Sequence, residues 1–538
     1  MSLKKHTVGA VVAASALLAT MGLASPASAV PVADTVDKLT KAVKISQVMN
    51  HLKELQDIAD DNGDRAAGRP GYAASVDYVV EQLERAGYTP EVQEFPFTYA
   101  EENNALSRQE PATTWVDGQD FLRNNFDTGS PEGTATGPLI PVDLVVPFPA
   151  DGMSTSGCEA ADFTGFPQGG VALVQRGSCD FSLKALNAQA AGASAVIVSN
   201  DGRPGLVGMI GAAPGLTIPA VFAASEVGID LASTPNAQVT VTVDYFAEER
   251  TSYNVIAETG TGDDGNVVMA GAHLDSVQDG AGINDNGTGS AALLETAIQM
   301  QRVKPTNTVR FAWWGAEEEG LLGSEYYVAD LTDEEASNIA LYLNFDMIGS
   351  PNYFYGVYDG DNSSGTAPAG FIPEGSAAIE DVFEQFYDSR ELPYQDTDFS
   401  GRSDYGPFIE VGIPAGGLFT GAEDIKTADE AVLYGGVPDA AYDPCYHQPC
   451  DNLTGDGQDE ALYDALNDAY KRRLTGNVNR IALDVNSDAL AAAVITFAFD
   501  TSSVNGATST ATGSVEAFSA KSAGGAVDLD ALRDRALR

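Results

Sequence analysis

The most constraining feature of the chain is an alternation of short apolar runs and helical segments in its second half. Residues 267–272, 309–314 and 341–345 are apolar runs of strand length, and residues 291–300 have helical spacing. Strands that alternate with helices fold into layers, with the helices packed on the faces of a sheet. The sequence therefore predicts an α/β fold for this half of the chain.

Polar side chains follow these apolar runs directly or within a few residues. His273 comes after the first run, Glu317 and Glu318 after the second, and Asp346 after the third. Open α/β sheets bind their ligands at the carboxyl ends of the strands. We therefore expect these four side chains to meet at one edge of the sheet.

Histidine is scarce, with four residues in a chain of 538. His6 lies in the N-terminal leader and His51 stands alone in an amphipathic helical stretch, so neither is a candidate ligand. His273 and His447 each lie among carboxylates and glycines. Imidazole nitrogen and carboxylate oxygen are typical zinc ligands, and a pair of ions needs one carboxylate that bridges them. Two histidines and three carboxylates are enough for a two-metal hydrolytic site.

Asp285 is the predicted bridge, because the asparagines and glycines around it permit a tight turn before a helix that starts near residue 288. The adjacent Glu317 and Glu318 should point in different directions after a strand. One of them can then bind metal while the other faces a water molecule. An isolated run of glutamates is usually a solvated surface, but here an apolar strand leads into it.

Residues 138–245 have a different pattern. Apolar runs at 171–174, 195–198 and 239–243 alternate with glycine-rich turns, and an alanine-rich helix is predicted near 181–191. This pattern predicts a small strand-rich domain inserted into the first one.

The insert resembles the protease-associated domain family in its segments 171–181, 191–193 and 196–198. That resemblance implies a lid or a substrate-selecting role. Residues 101–137, rich in Asn, Asp, Gly and Pro, mark the domain boundary. The predicted plan is a signal peptide at 1–29, an N-terminal part of the catalytic domain at 30–137, the insert at 138–245, the main part of the catalytic domain at 246–500 and a flexible low-complexity tail at 501–538.

The leader has two lysines, an apolar run and a small-residue cleavage motif, as secretory signal peptides do. We therefore predict a secreted, extracellular protein, in a compartment where disulfides persist. Four cysteines allow three pairings, and short separations favour Cys158 with Cys179 and Cys445 with Cys450. A thiolate zinc site is the alternative, which the oxidising compartment and the lack of a second paired-cysteine motif disfavour.

The chain has 77 acidic and 29 basic residues, a net charge of −48. So negative a surface argues against nucleic acid and anionic membranes as partners. Beyond the leader, no stretch approaches the roughly 18 consecutive apolar residues of a spanning helix. The acidity is compatible with a salty habitat or with plain solubility, and both interpretations stay open.

Six motifs occur in the order typical of the secreted di-zinc aminopeptidases of the zinc-dependent exopeptidase superfamily. They are His273-Leu274-Asp275-Ser276, Asn284-Asp285-Asn286-Gly287-Thr288-Gly289, Trp314-Gly315-Ala316-Glu317-Glu318, Asn344-Phe345-Asp346-Met347-Ile348-Gly349, Gly401-Arg402-Ser403-Asp404 and Cys445-Tyr446-His447. Residues 250–500, with the predicted helix at 72–86, resemble that family. The resemblance implies a mixed central sheet flanked by helices, two Zn²⁺ per chain, and peptide substrates that lose their N-terminal residue.

The same resemblance implies a ligand set for the two ions. His273 and Asp346 would hold one zinc, and Glu318 and His447 the other. Asp285 would bridge the two ions.

The resemblance also implies catalytic and substrate-binding roles. Glu317 would be the general base, Asp275 would orient a ligand imidazole, and Tyr446 would donate to the oxyanion. The main chain at Arg402 would lie near the substrate ammonium group. Phe419, in a glycine-rich segment, would line a pocket suited to an apolar side chain such as leucine.

Two other enzyme classes remain as alternatives on the same scaffold, a carboxypeptidase and a glutaminyl cyclase. The carboxypeptidase needs a cationic clamp, and Arg402 is the only arginine in the motifs. The cyclase binds one zinc. A non-catalytic binding protein is the third alternative, although its relatives lose ligands and here every ligand position is filled. We expect a monomer, and no residue pattern supports a calcium site.

Overall fold

The computed structural model describes residues 32–507 apart from 125, 127–130, 151, 208 and 210–211. The predicted signal peptide lies outside the described residues. The strands are β1 (Glu91–Glu102), β2 (Ala105–Arg108), β3 (Thr113–Trp115), β4 (Phe121–Arg123), β5 (Gly133–Pro141), β6 (Val171–Gln175), β7 (Ala195–Ser199), β8 (Ala220–Ala223), β9 (Gln238–Val243), β10 (Tyr245–Glu258), β11 (Asp263–His273), β12 (Asn307–Trp314), β13 (Ile339–Phe345), β14 (Gly356–Tyr358), β15 (Gln395–Thr397), β16 (Ala415–Phe419), β17 (Leu474–Thr475) and β18 (Val478–Asn479).

The α-helices are fourteen in the described part of the chain. They are α1 (Val36–Ala42), α2 (Ile45–Asn62), α3 (Pro70–Ala86), α4 (Phe181–Ala190), α5 (Ser225–Ala232), α6 (Gly289–Met300), α7 (Leu322–Asp330), α8 (Asp333–Asn338), α9 (Ser376–Ser389), α10 (Gly406–Glu410), α11 (Ala428–Tyr434), α12 (Glu460–Ala469), α13 (Arg480–Phe499) and α14 (Ser502–Asn505). A short 3₁₀ helix, Ala160–Phe163, and a π-helical turn, Ile283–Thr288, complete the set.

The main domain is built on an eight-stranded sheet in the order β1-β10-β12-β11-β13-β16-β14-β15. Its four central strands, β12, β11, β13 and β16, run parallel. Strands β1 and β10 pair antiparallel with their neighbours, and β14 pairs antiparallel with β16 and parallel with β15. The predicted mixed α/β sheet is confirmed. Because the central strands are parallel, their carboxyl ends lie at one edge of the sheet.

Helix α13 forms the centre of the core on one face of this sheet. It packs against α1, α6 and α9 and is apolar almost all round, as a helix buried on every side must be. It is the one described helix that is long and apolar enough to span a membrane, but 83% of its apolar window is buried inside the domain. Its first turn starts at Arg480, where Asn479 caps the backbone of Ile481.

The insert is an eight-stranded sheet in the order β3-β2-β9-β5-β6-β7-β8-β4, with its own two apolar clusters. It begins and ends at neighbouring points of the main sheet, because Glu102 at the end of β1 pairs with Tyr245 at the start of β10. The polypeptide therefore leaves the main domain and returns to it at adjacent positions, as expected for an inserted domain.

The predicted start of the insert at residue 138 is too late for this sheet. Strand β2 begins at Ala105 and pairs with β9, with Ala105 opposite Thr242. Strands β2, β3 and β4 have only three or four residues each, in a stretch rich in turn-forming residues. Strands this short contain too few residues to show the alternation of apolar and polar side chains by which a strand is predicted.

The predicted tail also starts too early at residue 501. Residues 502–505 form α14, which buries Val504 against the main domain. Thr501 accepts a hydrogen bond from Asn266, which in turn accepts one from Asn505. Residues 508–538 lie outside the described part of the chain.

Both cysteine pairs form disulfides as predicted. Cys158 is bonded to Cys179 in the insert, and Cys445 to Cys450 in the main domain. The second disulfide closes the loop that carries Tyr446 and His447, so both side chains are displayed from a short covalent ring.

Candidate metal centre and active-site cleft

The predicted side chains converge at the carboxyl edge of the parallel strands. His273 is the last residue of β11, Asp346 follows the last residue of β13, and Glu317 and Glu318 lie three and four residues after β12. Asp285 joins them from the π-helical turn before α6. His447 reaches the same point from the loop between Cys445 and Cys450.

Asp285 lies between the two histidines and points one oxygen at each. Its Oδ1 is 3.2 Å from Nε2 of His273, and its Oδ2 is 3.2 Å from Nε2 of His447. Asp346 Oδ1 lies 3.3 Å from His273 Nε2, and Glu318 Oε2 lies 3.0 Å from His447 Nε2. The five side chains thus form two groups that share Asp285.

The two adjacent glutamates occupy different environments. Glu317 Oε2 is 4.0 Å from His273 Nε2 and lines the cleft. Glu318 contacts His447 through one oxygen, and its other oxygen, Oε1, is buried with no hydrogen-bond partner among the described residues. A buried carboxylate oxygen with no donor is costly, and a cation is a partner that removes this cost.

The electrostatics of the cluster favour positive charge at its centre. Burial lowers the pKa of His273, but the surrounding carboxylates outweigh this effect and raise it well above the usual value. The pKa of His447 rises to about 10 against the same opposing burial. Burial raises the pKa of Glu317 well above its usual range and that of Glu318 to about 7. At Asp285 the hydrogen bonds of both imidazoles outweigh burial and lower the pKa. A divalent cation would meet the same demand for positive charge.

Asp275 is fully buried beneath the two glutamates. Its Oδ1 accepts the backbone N–H of Glu317 at 3.2 Å, and its Oδ2 that of Glu318 at 3.3 Å. Its carbonyl oxygen lies 3.2 Å from Nδ1 of His273, whereas its carboxylate lies 3.7 Å away. The carbonyl therefore holds the imidazole with Nε2 facing the cluster, and the carboxylate positions the glutamate turn.

Arg65 is a structural residue of the site that no sequence pattern indicated. It is completely buried, and its guanidinium donates to the carbonyl oxygens of Leu274, Ala281 (2.7 Å) and Gly282 (2.6 Å). These bonds tie the segment between His273 and the π-helical turn into one rigid loop. No local signal marks Arg65, since its partners are more than 200 positions away in the sequence.

Asp451 positions the bridging carboxylate in a similar way. Its carboxylate accepts the backbone N–H groups of Asn284 at 2.8 Å and of Asp285 at 3.0 Å, and a side-chain N–H of Asn477 at 2.8 Å. The residue directly follows Cys450, so the disulfide that displays His447 also carries the acceptor for Asp285. This link was not predicted.

The cluster opens into a cleft of about 550 Å³. The ring of Tyr446 stacks on the imidazole of His447, with centroids 3.8 Å apart. Burial and the neighbouring carboxylates raise the pKa of Tyr446, so its hydroxyl remains a donor. Phe419 and Arg402 also line the cleft. The Arg402 side chain is 71% exposed and pairs with Glu423 at 3.5 Å.

A second carboxylate cluster is formed by Asp359, Glu380 and Asp396, of which Asp396 also lines the cleft. Ser363 and Ser364 donate to Asp359, and the Ser363 hydroxyl donates to Asp396. These hydrogen bonds satisfy the carboxylates, and we assign no metal there.

A parallel-stranded α/β core with histidines and carboxylates gathered at the carboxyl edge of its sheet is typical of a metal-dependent hydrolase. The chain belongs to peptidase family M28, whose model matches residues 254–471, and a PA domain model matches residues 135–231. Membership of this family implies zinc and a hydrolase of the aminopeptidase type.

The relatives agree with that class over most of the chain. An aminopeptidase of Pseudomonas aeruginosa is 46% identical over 82% of this chain and 78% of its own length. A probable leucine aminopeptidase 2 of Trichophyton verrucosum is 38% identical over 83% of both chains. The solved aminopeptidase from Aneurinibacillus sp. strain AM-1 superposes with a TM-score of 0.53 and 25% identity, covering 85% of this chain and 95% of the other.

Proposed function

We propose that the protein is an exported aminopeptidase that uses two zinc ions and prefers apolar, leucine-like N-terminal residues. The observation that carries this proposal is the placement of Asp285, with one carboxylate oxygen 3.2 Å from each of two histidines on opposite sides. A carboxylate between two groups of ligands is what a pair of metal ions needs.

His273 and Asp346 would hold one ion and Glu318 and His447 the other, with Asp285 shared. The donor set of imidazoles and carboxylates suits zinc. The unpaired, buried Oε1 of Glu318 supports the fit, because a cation would satisfy it. Zinc held by these residues would supply Lewis-acid chemistry, that is, a water molecule of lowered pKa and a polarised scissile carbonyl group.

Glu317 is the proton-transfer residue in this scheme. Its carboxylate lines the cleft beside the ligands, and Asp275 holds its backbone amide. Glu317 accepts the proton of the attacking water and later delivers it to the leaving amine. Tyr446, held on His447, donates its O–H to the oxyanion that forms at the carbonyl.

The substrate is held at both ends of its first residue. The carboxylates of Glu317 and Asp346 and the main chain at Arg402 form the receptor for the free ammonium group. Phe419 lines the pocket for the first side chain and packs edge-on against Phe354, with centroids 6.3 Å apart. The name of the Trichophyton relative, a probable leucine aminopeptidase, supports an apolar preference.

Export to the cell exterior rests on two further observations. The first 29 residues have the composition of a signal peptide, and all four cysteines are paired in disulfides. We place the inserted domain in a lid or substrate-selecting role and the protein in solution as a monomer.

The test is hydrolysis of leucyl p-nitroanilide by the mature protein, with N-acetyl-leucyl p-nitroanilide as the matched substrate that lacks the ammonium group. The proposal predicts cleavage of the first only, abolished by a chelator and restored by zinc. Two zinc ions per chain are expected by elemental analysis. Cyclisation of N-terminal glutamine with one zinc ion per chain, or release of C-terminal residues, would instead support the alternative enzymes.

A further inference from the structure

A chain of four hydrogen bonds runs from the interior of the main sheet to the carboxylate of Asp346. Trp314 Nε1 donates to the hydroxyl of Tyr342 at 2.8 Å, and that hydroxyl donates to Asn344 Oδ1 at 3.1 Å. Asn344 Nδ2 donates to Ser403 Oγ at 2.9 Å, and Ser403 Oγ donates to Asp346 Oδ2 at 2.6 Å. The first four residues are at most 5% exposed.

Trp314, the first residue in this series of hydrogen bonds, determines which group donates and which accepts in each of them. An indole N–H can only donate, so the Tyr342 oxygen accepts from Trp314 and turns its own hydrogen towards Asn344. Asn344 must then present its oxygen to Tyr342, which leaves its amide hydrogens for Ser403. The Ser403 hydrogen is thereby directed at Asp346. Hydrogen bonds aligned in this way strengthen one another.

The main sheet has room for this series of hydrogen bonds to pass across one of its strands. Trp314 lies on β12 and Tyr342 on β13, and β11 runs between these strands. At the crossing point β11 has Gly271, where a Cβ atom would lie 2.3 Å from the Tyr342 hydroxyl and 2.6 Å from Trp314 Nε1. Phe408 stacks flat on the Tyr342 ring, with centroids 4.0 Å apart. The absence of a side chain at Gly271 makes space for the hydrogen bond between Trp314 and Tyr342, and the stacked Phe408 ring holds the Tyr342 ring in the orientation that forms it.

We propose that Ser403 is a positioning residue for the metal centre, directed by Tyr342 through Asn344. The inference rests on the proposed two-zinc site. Ser403 occupies Oδ2 of Asp346, which leaves Oδ1 facing His273 at 3.3 Å. The chain thus selects which oxygen of this ligand is presented to an ion, and it fixes the carboxylate before the ion arrives. Outer hydrogen-bond partners of this kind stabilise the bound metal.

Tyr342→Phe separates this role from direct contact with the metal. The substitution keeps the ring and its stacking but removes the hydroxyl, so Asn344 is free to turn its amide over. Its oxygen can then accept the Ser403 hydrogen in place of Asp346. A change at Tyr342 would therefore reach the metal only through the hydrogen bonds between them.

The experiment measures the zinc affinity of metal-free protein by competition with a chromophoric chelator, together with kcat and KM for leucyl p-nitroanilide. Ser403→Ala should weaken the zinc held by His273 and Asp346 by about tenfold or more, and Tyr342→Phe should weaken it several-fold. The double variant should match Ser403→Ala alone, because both changes interrupt one path. Both single variants should lower kcat more than they change KM.

Tyr387→Phe is the matched control. Tyr387 is likewise buried and donates its hydroxyl to an asparagine, Asn486 Oδ1, at 2.7 Å, in the core away from the cleft. Its loss should lower the unfolding temperature and leave zinc affinity unchanged. Wild-type zinc affinity in Tyr342→Phe, or losses that add in the double variant, would overturn the relay. Absence of bound zinc in the wild-type protein would instead refute the proposed site.

Discussion

At the scale of the residue, three neighbours in the cluster adopt a backbone conformation that is unfavourable outside glycine. Ala316, directly before Glu317, has φ 56°, Met347, directly after Asp346, has φ 48°, and His447 has φ 53°. Each costs roughly 1–2 kcal/mol in the left-handed region. Such residues concentrate at functional sites, where the surrounding structure holds them. Here they aim a glutamate, an aspartate and a histidine at one point.

Replacing Tyr446 by phenylalanine tests the oxyanion role at this scale. The ring should stay stacked on His447, while the O–H that contacts the developing charge is lost. We expect kcat to fall about 10²–10³-fold with little change in KM. Steady-state kinetics with leucyl p-nitroanilide and zinc analysis measure the effect. A variant with wild-type kcat would exclude Tyr446 as the donor.

The residue types of the cluster could be read from the sequence, but their supports could not. His273, Glu317, Glu318 and Asp346 stand close to the ends of apolar strands, so a rule about strand ends finds them. Arg65 and Asp451 act on backbone groups more than 150 positions away. No local pattern encodes such contacts. Ser403 lay inside a recognised motif, yet its role depends on a path that only the folded sheet assembles.

At the scale of the element, the predicted strands and helices are longer in the structure than in the sequence pattern. The apolar signal 267–272 belongs to β11, Asp263–His273, because the polar residues at its start still pair with β12. Helix α13 starts at Arg480, although its continuous apolar run begins only at Ala489. Its first half carries Asp484, Asn486 and Ser487, which interrupt the apolar pattern although they are largely buried.

Helix α13 therefore carries a pH-dependent element of stability. Burial, with the nearby charge of Asp488, raises the pKa of Asp484 to about 7 against the attraction of Arg390. An acid whose pKa is higher in the folded state contributes stability that is complete below its unfolded pKa, about 4, and is lost as pH rises through 7. The main domain should lose this contribution between about pH 4 and pH 7.

Asp484→Asn removes the charge and should abolish that dependence. We expect the variant to be about 2 kcal/mol more stable than wild type at pH 8 and close to wild type at pH 4. Denaturant unfolding at both pH values is the measurement. Asp464→Asn, at an exposed position of α12, is the control and should change little at either pH. Equal stabilisation by both variants, or none at pH 8, would contradict the assignment.

At the scale of the whole molecule, two sheets with separate cores are joined where β1 passes into the insert and β10 returns. The α/β class of the main domain and the strand-rich character of the insert were predictable from their periods. The limits of the insert were not, because β2 and β4 are placed by pairing with β9 and β8 far along the chain, and β3 joins the sheet by pairing with β2. Strands of three or four residues that pair with distant parts of the chain produce no pattern in the local sequence from which they could be predicted.

Removal of the metal should destabilise the main domain, which is one of these two parts. The ligands all belong to the main domain, where chelation would leave several buried carboxylates without a cation. Zinc in large excess over its Kd contributes about 4 kcal/mol, so we expect the unfolding midpoint of this domain to fall by roughly 10 °C. In Trp115→Phe the remaining tryptophans, Trp313 and Trp314, report on the main domain alone. An unchanged midpoint after chelation would contradict a structural contribution of the metal.

The central claim is that two zinc ions bind around Asp285 while the neighbouring Glu317 transfers protons and binds neither ion. The direct measurement is zinc content together with kcat for Glu317→Gln, which keeps the size of the side chain and removes its basicity. The account predicts two zinc ions per chain, as in the wild type, and a kcat lower by about 10²–10⁴-fold. Near-normal turnover, or loss of a zinc ion from the variant, would contradict it.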